Sequence, residues 1–224
     1  MNPYCLYAFM TGTGFQIALG LFLVGTTLRV VLFLRGAVQK DKAFFAFYSL
    51  KYAVRSMLAH TLPFVSKTSR IHAVTTLITA LFHIGIITLT LFHSAHVILI
   101  ADGLAPATLA WPILPEGVSH ILGWLSAAAL LLLILRRLVN PTVRYISIAR
   151  DYLLNLAILL LILSGIWSRM QLPGFFMVGL IHITTGNVLI AITPFTRLSH
   201  LFMLPFTRGY IGSEFGKVRH VQDW

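Results

Sequence analysis

Charge is scarce in this sequence: only 10% of its 224 residues are Asp, Glu, Lys or Arg, and only 6 of those are acidic. Soluble domains carry about 25% charged and roughly 45–50% apolar residues. A chain that is 58% hydrophobic, with a mean hydropathy of +0.86, is therefore not a soluble globule. Cysteine is nearly absent. Cys5 alone cannot hold an iron–sulfur cluster, a cysteine-rich zinc site or an intramolecular disulfide, and no C-x-x-C-H motif is present to attach a c-type haem covalently. Lys and Arg are missing from Met1 to Leu28, so the start lacks the basic region of a cleaved signal peptide and reads as a retained first span.

What is present is a set of five apolar segments, at about 8–34, 71–100, 118–139, 151–168 and 174–196, each near the ~20 residues that cross a bilayer. Runs such as Ala127 to Leu135 are apolar throughout. A closed barrel needs alternation, so these segments predict helices, whose backbone groups are satisfied internally. The expected fold is all-α and membrane-integral, with residues 1–200 as one five-helix domain and 201–224 as a tail that docks a partner subunit.

The charge balance of +11 reports topology and lipid contact before nucleic acid, and no nucleic-acid partner is expected. Of 17 Lys and Arg, eight lie in or beside the first connection (Arg29 to Arg70), four in the third and four in the tail. Only Arg169 lies on the other side. The positive-inside rule then puts the N-terminus outside and the tail in the cytoplasm. The stretch 40–69 is too charged to cross, yet it sets Phe44, Phe45, Phe47, Tyr48, Tyr52, Met57 and Leu58 among Lys51 and Arg55. It predicts an amphipathic helix on the cytoplasmic leaflet, with a solvated connection as the alternative.

Nine histidines are present, several inside apolar runs, where an ionisable side chain is costly and usually functional. The second helix carries His83 and His93, and the fifth carries His182 with His200 beyond Pro194. In the topology above, His83 and His200 fall nearer the cytoplasm, and His93 and His182 nearer the exterior. Two antiparallel helices can thus offer two stacked bis-histidine sites. An imidazole on each side of a porphyrin iron leaves no vacant position, which suits electron transfer. Gly85 and Gly186 offer room for a flat macrocycle, Ser94, Thr184 and Thr185 are candidate supporting partners, and Arg197 is a candidate for a haem propionate.

The two separations do not match: eighteen residues span ~27 Å of ideal helix and ten span ~15 Å. If helix five stayed regular, His182 and His200 would share one face. A kink or break at Pro194, a tilted helix or diagonal ligation would absorb the difference. A haem-free anchor or transporter, with histidines lining a polar path, stays open at this point.

These residues resemble a known family, the gamma subunit of respiratory nitrate reductase and its dihaem cytochrome b relatives in sulfate-reducer redox complexes. The resemblance rests on Leu81-Phe82-His83-Ile84-Gly85-Ile86 with His93, and on Arg136-Arg137-Leu138 followed by Pro141, Val143-Arg144 and Asp151. It rests further on His182 with Gly186, and on Pro194-Phe195-Thr196-Arg197-Leu198-Ser199-His200. It implies two haem b groups, with His83 and His200 matching the ligands of the inner haem and His93 and His182 those of the outer one. It also implies a prokaryotic cytoplasmic membrane, other membrane subunits and a cytoplasmic iron–sulfur subunit.

The family's quinol-linked lysine before its third helix is missing, since Pro115-Glu116-Gly117-Val118-Ser119-His120 stands in that region. His96 or His120 is then the candidate for a quinone or proton site. The longer first connection favours the sulfate-reducer relatives, for which a periplasmic multihaem cytochrome c is an expected partner. His60, His72 and His220 read as surface or interface residues, and Trp111, Trp124 and Trp167 as span-end anchors.

Overall fold

The structure, a computed structural model, describes residues 2–104 and 111–220, without the side chains of Ala43, Phe44 and Leu104. Residues 105–110 of the second connection, the side chain of Phe44 in the first and the last four residues of the tail therefore lie outside the described residues. Every regular element described is helical. The α-helices are α1 (Pro3–Thr11), α2 (Thr13–Lys40), α3 (Lys42–Ala46), α4 (Leu50–Thr61), α5 (Lys67–Ile71) and α6 (Ala73–Phe92). They continue as α7 (Ser94–Leu104), α8 (Glu116–Val139), α9 (Pro141–Tyr145), α10 (Ala149–Arg169), α11 (Phe175–Ile192) and α12 (His200–Ser213).

Five stretches are long and apolar enough to cross a membrane: Pro3–Lys40, Ala73–Phe92, Glu116–Val139, Ala149–Arg169 and Phe175–Phe195. The protein is a multi-pass, all-helical membrane protein, as the apolar runs predict. Large apolar residues such as Val24, Leu32, Val74, Ile84, Leu153 and Ile181 are exposed along these helices, the inverse of a soluble bundle and the surface that lipid covers.

Two helices depart from the regular geometry expected of them. The segment expected as one helix over 71–100 bends at His93, between α6 and α7, although hydrogen bonds from His93 N to Leu89 O (3.1 Å) and Val97 N to His93 O (2.9 Å) run through the bend. The fifth helix stops at Ile192. Pro194 has no N–H to donate and its ring clashes with the preceding turn, so the chain passes through short 3₁₀ turns at Thr193–Phe195 and Arg197–Ser199 before α12 begins at His200. The five regular turns that would put His182 and His200 on one face are not formed. The break at Pro194 is the alternative that is realised.

The chain divides into two compact units, Met1–Ala18 with Leu77–Leu189, and Leu19–Thr76 with Ile190–Trp224. In the first, Ala127 and Leu130 of α8 and Ile162 of α10 form the core, with Phe82, Ile86, Ile134, Ile158, Leu159 and Ile166 packed around them. Gly85 of α6 meets Ser126 of α8 so closely that a Cβ there would collide with its Oγ, and it is buried. The room left by Gly85 is thus taken up by a helix crossing, the common use of small residues in membranes. At the other end of α8, Arg137 lies 3.8 Å from Asp151, which also accepts a hydrogen bond from Ile148 N (3.1 Å). These two residues of the family-like motif tie α8 to the start of α10.

In the second unit α4 packs on α12. Ala53, Ser56 and Ala59 are buried on one side of α4, and Gly209, Gly212 and Ser213 are buried on α12. A Cβ on Gly212 would run into Ser56 and stand 2.7 Å from Tyr52 O, and Ser49 N donates to Ser213 Oγ at 2.8 Å. Residues 201–213, read from sequence as part of a tail, thus belong to a packed helix. On the opposite side of α4, Leu50, Val54 and Leu58 are exposed beside Lys51. Elsewhere in this unit the Arg29 guanidinium donates to Pro194 O, and Gly25 lies against Pro194 and Phe195.

Candidate functional site

Three of the candidate histidines come together in the first unit. The rings of His93 and His96 stand edge to face, 5.3 Å between centroids, across the α6–α7 bend. The ring of His96 lies parallel to that of His182, 4° between planes and 6.0 Å between centroids. His96 thus stacks on His182 of the fifth span, with His93 beside it across the bend. His93 and His182, the pair expected at one haem, therefore belong to one cluster, with His96 as a third member.

His182 is held from α10. Its Nδ1 is 2.9 Å from Leu161 O and 3.4 Å from Ser164 Oγ, and its ring lies over Gly165, where a Cβ would stand 2.8 Å from Cε1. A carbonyl only accepts, so Nδ1 carries the proton and Nε2 becomes the lone-pair nitrogen. The same anchoring occurs at His83 (Nδ1 to Thr79 O, 2.8 Å), His96 (Leu89 O, 2.9 Å) and His200 (Arg197 O, 2.8 Å). Metal-ligating histidines use this arrangement to fix tautomer and ring plane. His93 makes no such bond among the described residues.

The other candidates are placed more plainly. His83 lies on α6 in the first unit, whereas Arg197 and His200 lie in the second, both exposed. His120 stands on α8, edge-on to Trp124 at 6.4 Å, and no hydrogen bond or ring contact among the described residues joins it to the cluster. Gly186 has Leu161 Cδ1 as its nearest neighbour, at an ordinary 3.8 Å. His60, read as a surface or interface residue, is half-buried with Nδ1 2.9 Å from Ser56 O. Trp111 donates to Leu91 O at 2.7 Å and Trp167 to Pro173 O at 3.1 Å, which fits indoles anchored at helix ends.

The sequence reading missed Leu161, Ser164 and Gly165 as the seat of His182. A Ser-Gly pair inside an apolar run was the visible signal. Among the described residues no three His, Cys, Asp or Glu form a group able to hold a metal ion. A bis-imidazole haem asks only two ligands of the protein, because the porphyrin supplies four nitrogens. The histidines present fit that demand on two counts: the carbonyl-anchored Nδ1 atoms, and the glycine seat that a Cβ would fill.

The fold and this cluster define a multi-pass helical membrane protein with histidines gathered within its apolar helices. A chain of Nitratidesulfovibrio vulgaris Hildenborough, described only as a protein, is 28% identical over 214 residues, covering 94% of this chain and 93% of the other. No family model matches the sequence, and no solved structure matches it.

Proposed function

We propose that this chain is a dihaem b-type cytochrome subunit of a respiratory membrane complex, passing electrons across the membrane between an outer-face partner and a cytoplasmic iron–sulfur subunit. The observation that carries the reading is the seating of His182: an imidazole inside an apolar helix, its proton fixed on Leu161 O and its face on Gly165. His182 with His93 would hold the outer haem, and His83 with His200 the inner one. The second pair rests on the spacing, the resemblance and the anchored Nδ1 atoms.

When bound, each haem supplies reversible one-electron transfer at an iron with no open position. The chain's own work is to orient ligands and exclude water. Nδ1 anchoring at His83, His182 and His200 would leave Nε2 of each free to hold an iron, and the apolar helices surround the site with lipid and aliphatic side chains. A third of the apolar stretch of α8 is buried against 6% of that of α6, so the helix that carries His83 is the one left most open to a cofactor or a neighbouring subunit.

The charge distribution supports an outside N-terminus and a cytoplasmic C-terminus. The exposed Leu50, Val54 and Leu58 of α4, with Lys51 beside them, support its lying in the cytoplasmic leaflet of a prokaryotic inner membrane. The relative from a sulfate-reducing organism is consistent with a multihaem cytochrome c as the outer partner. One observation favours a second reading, a quinone site beside the outer haem: His96 stacks on His182 and would stay beside that haem as a spare imidazole. A quinone that co-purifies, or a quinol-site inhibitor that blocks haem reduction, supports this second reading.

The test is a reduced-minus-oxidised spectrum of the purified chain. Two b-type couples are expected on redox titration. Absence of the alpha and Soret bands overturns the reading in favour of a haem-free anchor or transporter.

A further inference from the structure

The face of α10 that seats His182 does not end at Gly165. One turn further, about 6 Å along the axis and on the same stripe, α10 closes with Arg169. Its Nη2 lies 3.6 Å from Glu116 Oε2, a carboxylate whose side chain is 86% exposed. Its Nη1 is buried and has no hydrogen-bond partner among the described residues. The corner is well fixed: Ser168 packs under Gly179, and Trp167 Nε1 donates to Pro173 O.

An arginine with one arm loosely paired to an exposed acid and the other dry and unpaired is an incomplete ion pair. A guanidinium is always charged and presents its donors as a planar fork matched to carboxylates and phosphates. A buried donor of this kind is normally satisfied. An anion arriving at the His93–His182 cluster would supply that acceptor. Haem b brings carboxylates on its edge, and the cluster is where the outer haem would sit.

We propose that Arg169 is the propionate anchor of the outer haem, taking a carboxylate on Nη1 while Glu116 holds its other arm. The inference rests on the dihaem reading and adds to it a residue that positions the group and sets its potential. A cation beside the propionate offsets its negative charge and disfavours the more positive oxidised iron, so removing it favours the oxidised haem and lowers the midpoint. A phosphate from an outer-leaflet lipid would satisfy the same arm without touching the haem.

The experiment is a potentiometric optical titration of the purified, haem-loaded chain, comparing wild type with Arg169→Gln, Arg169→Lys and Glu116→Gln. The outer couple is first assigned as the one that His182→Ala removes. Arg169→Gln is expected to lower the midpoint of that couple, by a roughly tenfold change in the reduced-to-oxidised ratio at fixed potential, about 59 mV for one electron, or to lose that haem while the inner one stays. Arg169→Lys keeps the charge and is expected to shift it less, and Glu116→Gln to raise it. If Arg169→Gln does not accumulate, the other two variants carry the test. An outer couple unmoved in every variant that accumulates overturns the proposal and leaves the dihaem reading standing, the result expected if Nη1 binds lipid phosphate. A wild-type chain without b-type bands overturns both.

Discussion

Gly165 and His182 illustrate how narrow the tolerances of the candidate site are. Adding one methyl group at Gly165 would put a carbon 2.8 Å from the His182 ring, so Gly165→Ala is expected to push the imidazole off its seat. A weakened or shifted outer-haem spectrum is the readout, with overpacking costing about 1–3 kcal/mol in thermal stability. The three clustered imidazoles make a sharper comparison possible. If His93 and His182 are the ligand pair, alanine at either should cut haem per chain by about half, whereas His96→Ala should leave haem content unchanged. Pyridine haemochrome assay against protein concentration decides this, and loss of haem in His96→Ala alone would reassign the partner of His182. Individual histidines were legible in the sequence because an ionisable group inside an apolar run stands out. Ser164, Gly165 and Arg169 were not, since their importance arises only when α10 packs beside the fifth span.

Helices in this protein are interrupted for reasons of unequal visibility. Pro194 announces its break through the chemistry of a residue without an N–H, and the chain does leave the α-helix there. The bend at His93 has no proline or glycine next to it, and nothing in the local sequence marked it. Helix contacts were similarly half-visible. Gly85 was read as room for a flat macrocycle, and in the structure Ser126 of α8 takes up that room. The α4–α12 pair was not foreseen, because residues 201–213 looked like a tail when read one after another. That pair predicts its own test: Gly212→Leu, which drives a side chain into Ser56 and the Tyr52 carbonyl, should separate α12 from α4. Faster proteolysis and faster hydrogen exchange in 200–213 are expected, at a cost of about 1–3 kcal/mol. Unchanged protection would mean the contact adds nothing to stability.

Across the whole molecule, the five spans were readable because hydrocarbon imposes a length and a composition that nothing else in the sequence imitates. The proposed orientation rests on where Lys and Arg lie, and it can be checked without purification. Reporters fused after Trp224 should report a cytoplasmic end and reporters ahead of Met1 an external one, with the reverse pattern overturning the topology. One contact links the two ends of the chain in a way that bears on how it is made. Arg29 lies on α2 near the end of the first apolar segment, where a charged side chain is costly unless it is satisfied, and its guanidinium donates to Pro194 O, a partner 165 residues later in the chain. During synthesis the first span is therefore inserted long before its acceptor exists. Until the fifth span arrives, that arginine has to be shielded by water, headgroups or the insertion machinery, so the final span completes the first.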